Sequence, residues 1–273
     1  MMEIIDFRVR PRTEFFLKGI VPKVLPAYEK YVELFHMEPR IKITSLAESV
    51  VEMTAASITH GVIFSPNASG NHTVHEACSQ FQDHYYGLAG IDITEGVTRG
   101  VEDLERAYEE LGLLGLCLSP FMTGVRPDDP RYYPLYALSD RKGKLLQIHS
   151  AVHFNPAVPL DIAHPKYIDR IAVDFPNLRI VMCHAGYGFG TLGLRIVQRH
   201  RNMFADFSGL HPRTIGHEYI AAINGFLNEK AIFGTNYPCL EFGIIKTWRK
   251  LFGDRTQQRF FCDNAKHALG IES

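Results

Sequence analysis

Short runs of apolar and β-branched residues recur along the chain at 3–9, 61–66, 86–92, 113–119, 145–150, 179–184, 203–208 and 231–237. Each has the length of a strand rather than of a buried helix. Between them lie segments with apolar residues three and four apart, at 45–60, 101–111, 129–142, 165–175, 191–201 and 217–229, which is the period of a helix with one buried face. Strands alternating with helices imply right-handed βαβ units and a parallel sheet. Eight such strands in 273 residues suit a closed barrel better than an open doubly wound sheet of about five to seven strands. The expected fold class is α/β, a (β/α)8 TIM barrel, with residues 1–273 forming one domain.

The pattern breaks in two places. Residues 11–44 lack a clear period and intersperse Phe15, Phe16, Tyr28 and Tyr31 among prolines. A loop this long after the first strand of a barrel sits over the mouth, as a substrate cap or as a packing excursion. The second break is the first strand itself, where Asp6, Arg8 and Arg10 alternate with Ile5, Phe7 and Val9, although strands covered on both faces read as continuous apolar runs. Strand alternation points all three charges to one face. That face is either a solvated side of a half-exposed strand or the barrel interior, where guanidinium groups need an anion or a polar pocket.

The fifth and sixth strands end in His149 and His184, and the eighth ends in Gly234-Thr235-Asn236-Tyr237-Pro238. In a barrel these side chains arrive together at the C-terminal mouth, where chemistry is done; turn chemistry alone would also explain Asn236. Alternation turns Cys183 away from the His184 face, toward the helices, as a packing thiol. Gly188, Gly190 and Gly193 match G-x-G-x-x-G, with Asp206 in the following strand, but the match comes too late for a full dinucleotide sheet and Asp206 too early for the usual spacing. His72 with His75, and His149 with His153, lack a third ligand at a telling spacing and read as polar surface. No nucleophile elbow, Walker loop or zincin helix is present.

Composition removes several function classes. A formal charge of −1 with basic residues scattered among acidic ones gives no electrostatic footprint for nucleic acid. Five cysteines without a C-x-x-C pair argue for reduced thiols rather than a disulfide framework or a cysteine zinc site. No apolar run approaches the roughly 18 residues of a membrane span, and the N-terminus opens without a signal-like segment. The expectation is a cytoplasmic protein with neither nucleic acid nor membrane as partner. A homodimer is open, with Trp248 and the apolar final helices serving either its interface or a monomer core.

Taken together, Ile5-Asp6-Phe7-Arg8-Val9-Arg10, Ile148-His149, Cys183-His184-Ala185-Gly186, Phe233-Gly234-Thr235-Asn236-Tyr237-Pro238 and Asn264-Ala265 resemble the amidohydrolase-related branch of the amidohydrolase superfamily. That branch includes aminocarboxymuconate-semialdehyde and resorcylate decarboxylases, lactonases and hydratases. The resemblance implies a metal-dependent-hydrolase-like barrel whose first-strand His-x-His pair, two later histidines and eighth-strand Asp hold one or two divalent metals, usually zinc. Here Arg8 and Arg10 stand in place of the histidine pair and Asn236 in place of the aspartate. Guanidinium groups only donate and repel a cation, and an amide does not balance a metal's charge. The metal site is therefore degenerate, and no cofactor is expected. If zinc or another divalent metal were bound, His149 and His184 would hold it, with Asp6 or His153 as added ligands.

The resulting expectation is an enzyme acting on a small carboxylated metabolite, cyclic or unsaturated. Arg8, Arg10 and Asp6 form the substrate-binding set, His149 and His184 serve as general base and acid, and Asn236 orients substrate or water. Hydrolysis such as lactone opening comes first, decarboxylation or hydration second. A non-catalytic barrel that binds a carboxylate is the rival from another class.

Overall fold

In a computed structural model, which describes residues 2–18 and 29–271, the alternation appears as the chain pattern requires. Strands β1 (Ile5–Asp6), β2 (His60–Phe64), β3 (Tyr85–Leu88), β4 (Gly115–Leu118), β5 (Leu145–His149), β6 (Ile180–Cys183), β7 (Met203–Asp206) and β8 (Ala231–Ile232) follow in order. Within β1–β3 and β4–β8 each strand pairs in parallel with the next. Single bridges and bonds close the ring. Between β3 and β4, Ala89 N donates to Gly115 O at 2.7 Å and Cys117 N to Ala89 O at 2.8 Å; between β8 and β1, Phe7 N donates to Phe233 O at 3.0 Å and Val9 bridges Tyr237. The result is a TIM barrel.

The helices are α1 (Glu14–Leu17), α2 (Glu29–Leu34), α3 (Leu46–Ala55), α4 (Asn71–Gln80), α5 (Val97–Glu109), α6 (Pro120–Thr123), α7 (Tyr133–Arg141), α8 (Lys166–Asp174), α9 (Leu192–Arg199), α10 (His217–Asn224), α11 (Ile245–Arg249), α12 (Asp254–Gln258) and α13 (Asn264–Leu269). Local chemistry sets their ends. Ser45 and Glu48 form a reciprocal capping box that starts α3, satisfying two of the backbone donors a helix start leaves orphaned. None of the described helices is long and apolar enough to cross a membrane.

One apolar cluster lies between sheet and helices, and a second fills the barrel, where Ile5, Phe7, Val62, Leu145, Val181 and Ile232 meet Ala265, Ala268 and Leu269 of α13. The final helix thus packs on this interior cluster. Above it the filling turns polar: Arg8, Gln147 and Asp206 are buried to 1%, 0% and 0% exposure. Arg8 is one of the largest fully buried side chains in the protein, which excludes the solvated-strand alternative. Trp248 is also fully buried, against Phe207, Phe252 and Phe260, and so belongs to the core rather than to a subunit interface.

The excursion after β1, in its described parts at residues 11–18 and 29–44, carries α1 and α2 where the sequence shows no clear period. Arg40 fastens it to the loop after β8, donating from Nε to Pro238 O at 2.7 Å and from Nη2 to Cys239 O at 2.9 Å. Tyr28 lies outside the described residues, whereas Phe15, Phe16 and Tyr31 line the cavity at the mouth.

Gly90 shows how tightly the strand ends are set. Asn71 bridges its backbone, accepting from Gly90 N at 2.8 Å and donating to Gly90 O at 3.2 Å, and a Cβ there would fall 2.6 Å from Asn67 N and 2.7 Å from the Ser65 carbonyl carbon. Backbone cannot yield as a side-chain tip can, so Gly90→Ala is expected to lose about 1–3 kcal/mol of unfolding free energy. Chemical denaturation reads this directly; an unchanged midpoint would contradict the packing described.

Candidate active site

Four strand ends deliver the polar side chains to a single place. Arg8 and Arg10 follow β1, His149 ends β5, His184 follows β6 and Asn236 follows β8, and all five line one cavity of about 890 Å³ at the C-terminal mouth. The backbone departs from strand geometry where these residues sit. His184 and Asn236 adopt φ of 57° and 53°, a left-handed conformation that costs energy for a residue with a Cβ and concentrates at functional sites. Strict alternation therefore fails after Cys183. Its sulfur points into the barrel, 3.5 Å from Arg8 Nη1, not toward the helices as alternation predicts, and His184 reaches the mouth only because the chain turns there.

Asn236 is the joint of the site. Its Oδ1 accepts from Arg8 Nε at 3.2 Å and from Arg10 Nη1 at 2.7 Å, while Nδ2 donates to Tyr31 Oη at 3.2 Å and Cys239 Sγ at 3.3 Å. Both lone pairs and both protons are thereby used, so Asn236 holds the arginines instead of orienting substrate or water. Arg8 also donates from Nη1 to Gln147 Oε1 at 3.1 Å. Both guanidinium groups lie against Phe64, 4.2 and 4.7 Å from its ring centre, within the range of a cation–π contact.

The histidines form a neutral pair. Their ring centres are 4.8 Å apart, and Phe121 packs edge-on to His149 at 4.5 Å. Burial, then His184 and Arg8, holds His149 well below the ordinary imidazole range. Burial, then Arg8, draws His184 down to about 3 against the opposing pull of the Ser208 carbonyl. His184 Nδ1 lies 2.6 Å from Ser208 O, which can only accept, so the proton sits on Nδ1 and Nε2 keeps its lone pair. His149 Nδ1 is buried without a partner among the described residues; leaving a bare lone pair there is cheaper than stranding a donor, which puts the His149 proton on Nε2.

Two buried carboxylates lie beneath. Asp6 accepts from Thr235 N at 2.9 Å, from Thr235 Oγ1 at 2.5 Å and from Arg8 N at 3.2 Å. It does not line the cavity, so its place is to fix the ends of β1 and β8 rather than to bind substrate. Burial pushes it up to about 7, against the lowering effect of the Thr235 bonds. Asp206 is pushed up to about 6 by burial, with Arg8 pulling the other way. It is buried and bonded to Ser208 rather than placed for a dinucleotide, and Gly193 has a packing reason, since a Cβ there would lie 2.6 Å from Ala185 O. His72 is exposed beside Glu76, and His75 Nδ1 bonds Leu111 O. His153 differs from the surface reading, being buried, stacked on Phe121 and bonded through Nε2 to Pro159 O at 3.2 Å.

Gln147, Asp206, Ser208 and Cys239 are the residues the sequence reading passed over or misassigned. Gln147 carried a usable signal, since a polar side chain interrupts an apolar strand two positions before His149 and so shares its side.

The residues present do not fit a divalent cation. Two donor-only guanidinium groups meet where ligand lone pairs would have to converge on a metal, and Asn236 turns its carbonyl oxygen to them. Asp6 is enclosed and His153 is engaged elsewhere, so neither supplements the histidines. Among the described residues no group of three or more His, Cys, Asp or Glu side chains is placed to hold a metal.

Comparison with solved structures returns the same architecture. A TIM-barrel protein of Bordetella bronchiseptica, described as uncharacterised, superposes with a TM-score of 0.85 at 24% identity, covering 99% of each chain. The 5-carboxyvanillate decarboxylase of Novosphingobium aromaticivorans, complexed with manganese and 4-hydroxy-3-methoxy-5-nitrobenzoic acid, gives 0.73 at 16% identity over 98% of this chain and 96% of its own. A probable 2-pyrone-4,6-dicarboxylic acid hydrolase of Acinetobacter baumannii with citric acid bound gives 0.67 at 16% over 98% and 100%. No curated protein matches the sequence. The amidohydrolase family model matches residues 36–271, and the chain therefore belongs to the amidohydrolase family.

Proposed function

We propose that this protein is an enzyme that hydrolyses a small carboxylated metabolite, with opening of a lactone or similar cyclic ester as the reaction, and that Arg8 and Arg10 supply the positive charge at the reacting end of its pocket. The observation that carries this reading is the convergence of both guanidinium groups on one neutral amide oxygen beside two uncharged imidazoles. Two guanidinium groups converging on one neutral oxygen at a cavity wall favour an anionic occupant, and a charge that develops during reaction gains most from such preorganised donors.

The hydrogen bonds suggest the division of labour, which reverses the order expected from sequence. His184 Nε2, with its lone pair free, takes a proton from water as the water oxygen attacks the ester carbonyl. The electron pair displaced from the carbonyl becomes an oxyanion beside the arginines. When the intermediate collapses, the C–O bond to the leaving group breaks and His149 Nε2–H delivers a proton to that oxygen. The excess proton on His184 then returns to His149 through solvent. The aromatic wall, with Phe15 and Phe16 contributed by the excursion after β1, suits a flat unsaturated ring and shields these steps from bulk water.

Hydrolysis is preferred over decarboxylation on charge grounds. A carboxylate anchored on arginines loses that stabilisation as its electrons move into the ring, whereas a tetrahedral oxyanion gains it. The structural neighbours nevertheless include decarboxylases, so a panel of lactones and aryl carboxylic acids should be assayed for both ring opening and carbon dioxide release. On a turned-over substrate, His184→Gln and His149→Gln are each expected to lower kcat about 10²- to 10⁴-fold, the usual weight of general acid–base catalysis. Arg10→Gln is expected to lower kcat/KM about 10- to 100-fold, as the loss of one charged hydrogen bond would. Carbon dioxide release without hydrolysis would replace the reaction class; carboxylate binding without turnover would leave a non-catalytic barrel.

A pH dependence follows from the depressed imidazoles. An ordinary histidine base loses activity as pH falls through about 6.5. With His184 drawn down to about 3, the base stays unprotonated well below that, so kcat/KM is expected to show no imidazole limb between pH 8 and 5. A half-maximal point near 6.5 that survives Asp206→Asn, whose carboxyl burial itself pushes up to about 6, but vanishes in His184→Gln would contradict this assignment.

A further inference from the structure

The reading of His184 as proton acceptor leaves open what keeps its proton on Nδ1. Two acceptors converge on that nitrogen, both from Ser208: the carbonyl oxygen at 2.6 Å and Oγ at 3.1 Å. A serine hydroxyl can accept from the imidazole only if its own proton is directed elsewhere, and here Oγ donates to Asp206 Oδ2 at 2.8 Å. The other carboxylate oxygen, Oδ1, accepts from Ser208 N at 2.6 Å. Asp206 therefore grips Ser208 by backbone and side chain at once, and all three residues are buried.

The surroundings are built to allow this approach. A Cβ on Gly234 would stand 2.6 Å from Ser208 Cβ and 2.9 Å from Asp206 Oδ1, and one on Gly209 would stand 3.6 Å from His184 Nδ1. A side chain at Gly234 would press on the chain of bonds, whereas one at Gly209 would only touch the His184 ring. His184 itself stands in the left-handed region, at φ 57°, so its ring direction is not given by strand geometry and must be fixed by what it bonds.

We propose that Asp206 and Ser208 are positioning residues that act through hydrogen-bond polarity, setting His184 as the Nδ1–H tautomer with the Nε2 lone pair turned into the cavity. The inference rests on the proposed role of His184, but its test needs no substrate. The polarity argument makes a directional statement. Asparagine at 206 offers an N–H where the carboxylate offered only lone pairs; that N–H donates to Ser208 Oγ, whose proton is then free to point at His184 Nδ1 and favours the Nε2–H tautomer.

The tautomer is read by long-range proton–nitrogen correlation on protein labelled with nitrogen-15 histidine, His184 being assigned by its loss in His184→Gln. The wild-type protein is expected to show His184 almost wholly as Nδ1–H. Asp206→Asn and Ser208→Ala are each expected to raise the Nε2–H to Nδ1–H ratio about fivefold, the change one ordinary net hydrogen bond produces. Ser208→Thr, which keeps the hydroxyl, should retain the wild-type pattern. If Asp206→Asn does not fold, Ser208→Ala carries the comparison, since it removes one atom and leaves the carbonyl acceptor in place. A wild-type His184 that is Nε2–H or mixed would overturn the inference, as would a ratio unmoved in the folded variants. Loss of activity in His184→Gln is a separate result, so failure here and failure of the proposed function are told apart.

Discussion

A guanidinium group enclosed inside a ring of strands has to be met by lone pairs, and around Arg8 these come from Asn236, Gln147 and the sulfurs of Cys117 and Cys183, with the face of Phe64 at 4.2 Å. None of these groups carries a full negative charge that is hydrogen-bonded to the cation, and an uncompensated buried charge is costly. Much of the site can be read as the arrangement that makes this burial tolerable. Asp206 lies close enough to interact with Arg8 through space, Asn236 is turned so that its carbonyl serves both arginines, and the histidines nearby remain neutral because burial penalises their charged form and a further cation there would be repelled.

The barrel supplies the precision. Parallel strands end at one mouth, but the working side chains are placed by departures from strand geometry at His184 and Asn236 and by the bonds that hold those departures. Asp6 ties Thr235 to the end of β1, Asp206 ties Ser208 to the end of β7, and Arg40 ties the loop after β8 to the excursion after β1. These bonds link residues far apart in sequence, so the site depends on the closed barrel rather than on any local motif.

Much of this was legible in the sequence. The eight strand positions follow from apolar periodicity, and the charged alternation of β1 and the paired strand-end histidines mark the mouth before any geometry is known. What the sequence could not supply is which atom meets which. Cys183 was misplaced because alternation assumes that the strand continues, and it stops at His184. Asp6 and Asn236 look like ligand-facing residues by position, yet their bonding capacity is spent inside the protein. Asp206 and Ser208 were hidden because an Asp-x-Ser at a strand end resembles ordinary turn chemistry.

Membership of the amidohydrolase family and the character of the pocket pull in different directions. A structural neighbour of this barrel carries manganese, whereas here donor-only guanidinium groups meet at the mouth. The account holds that the arginine charge takes over the electrostatic part a divalent cation would play. The most direct measurement is metal content per chain, by mass spectrometry, on untagged protein grown in medium supplemented with zinc, manganese and iron. The account predicts far less than one equivalent of any of them; close to one equivalent, lost together with function on chelation, would contradict it.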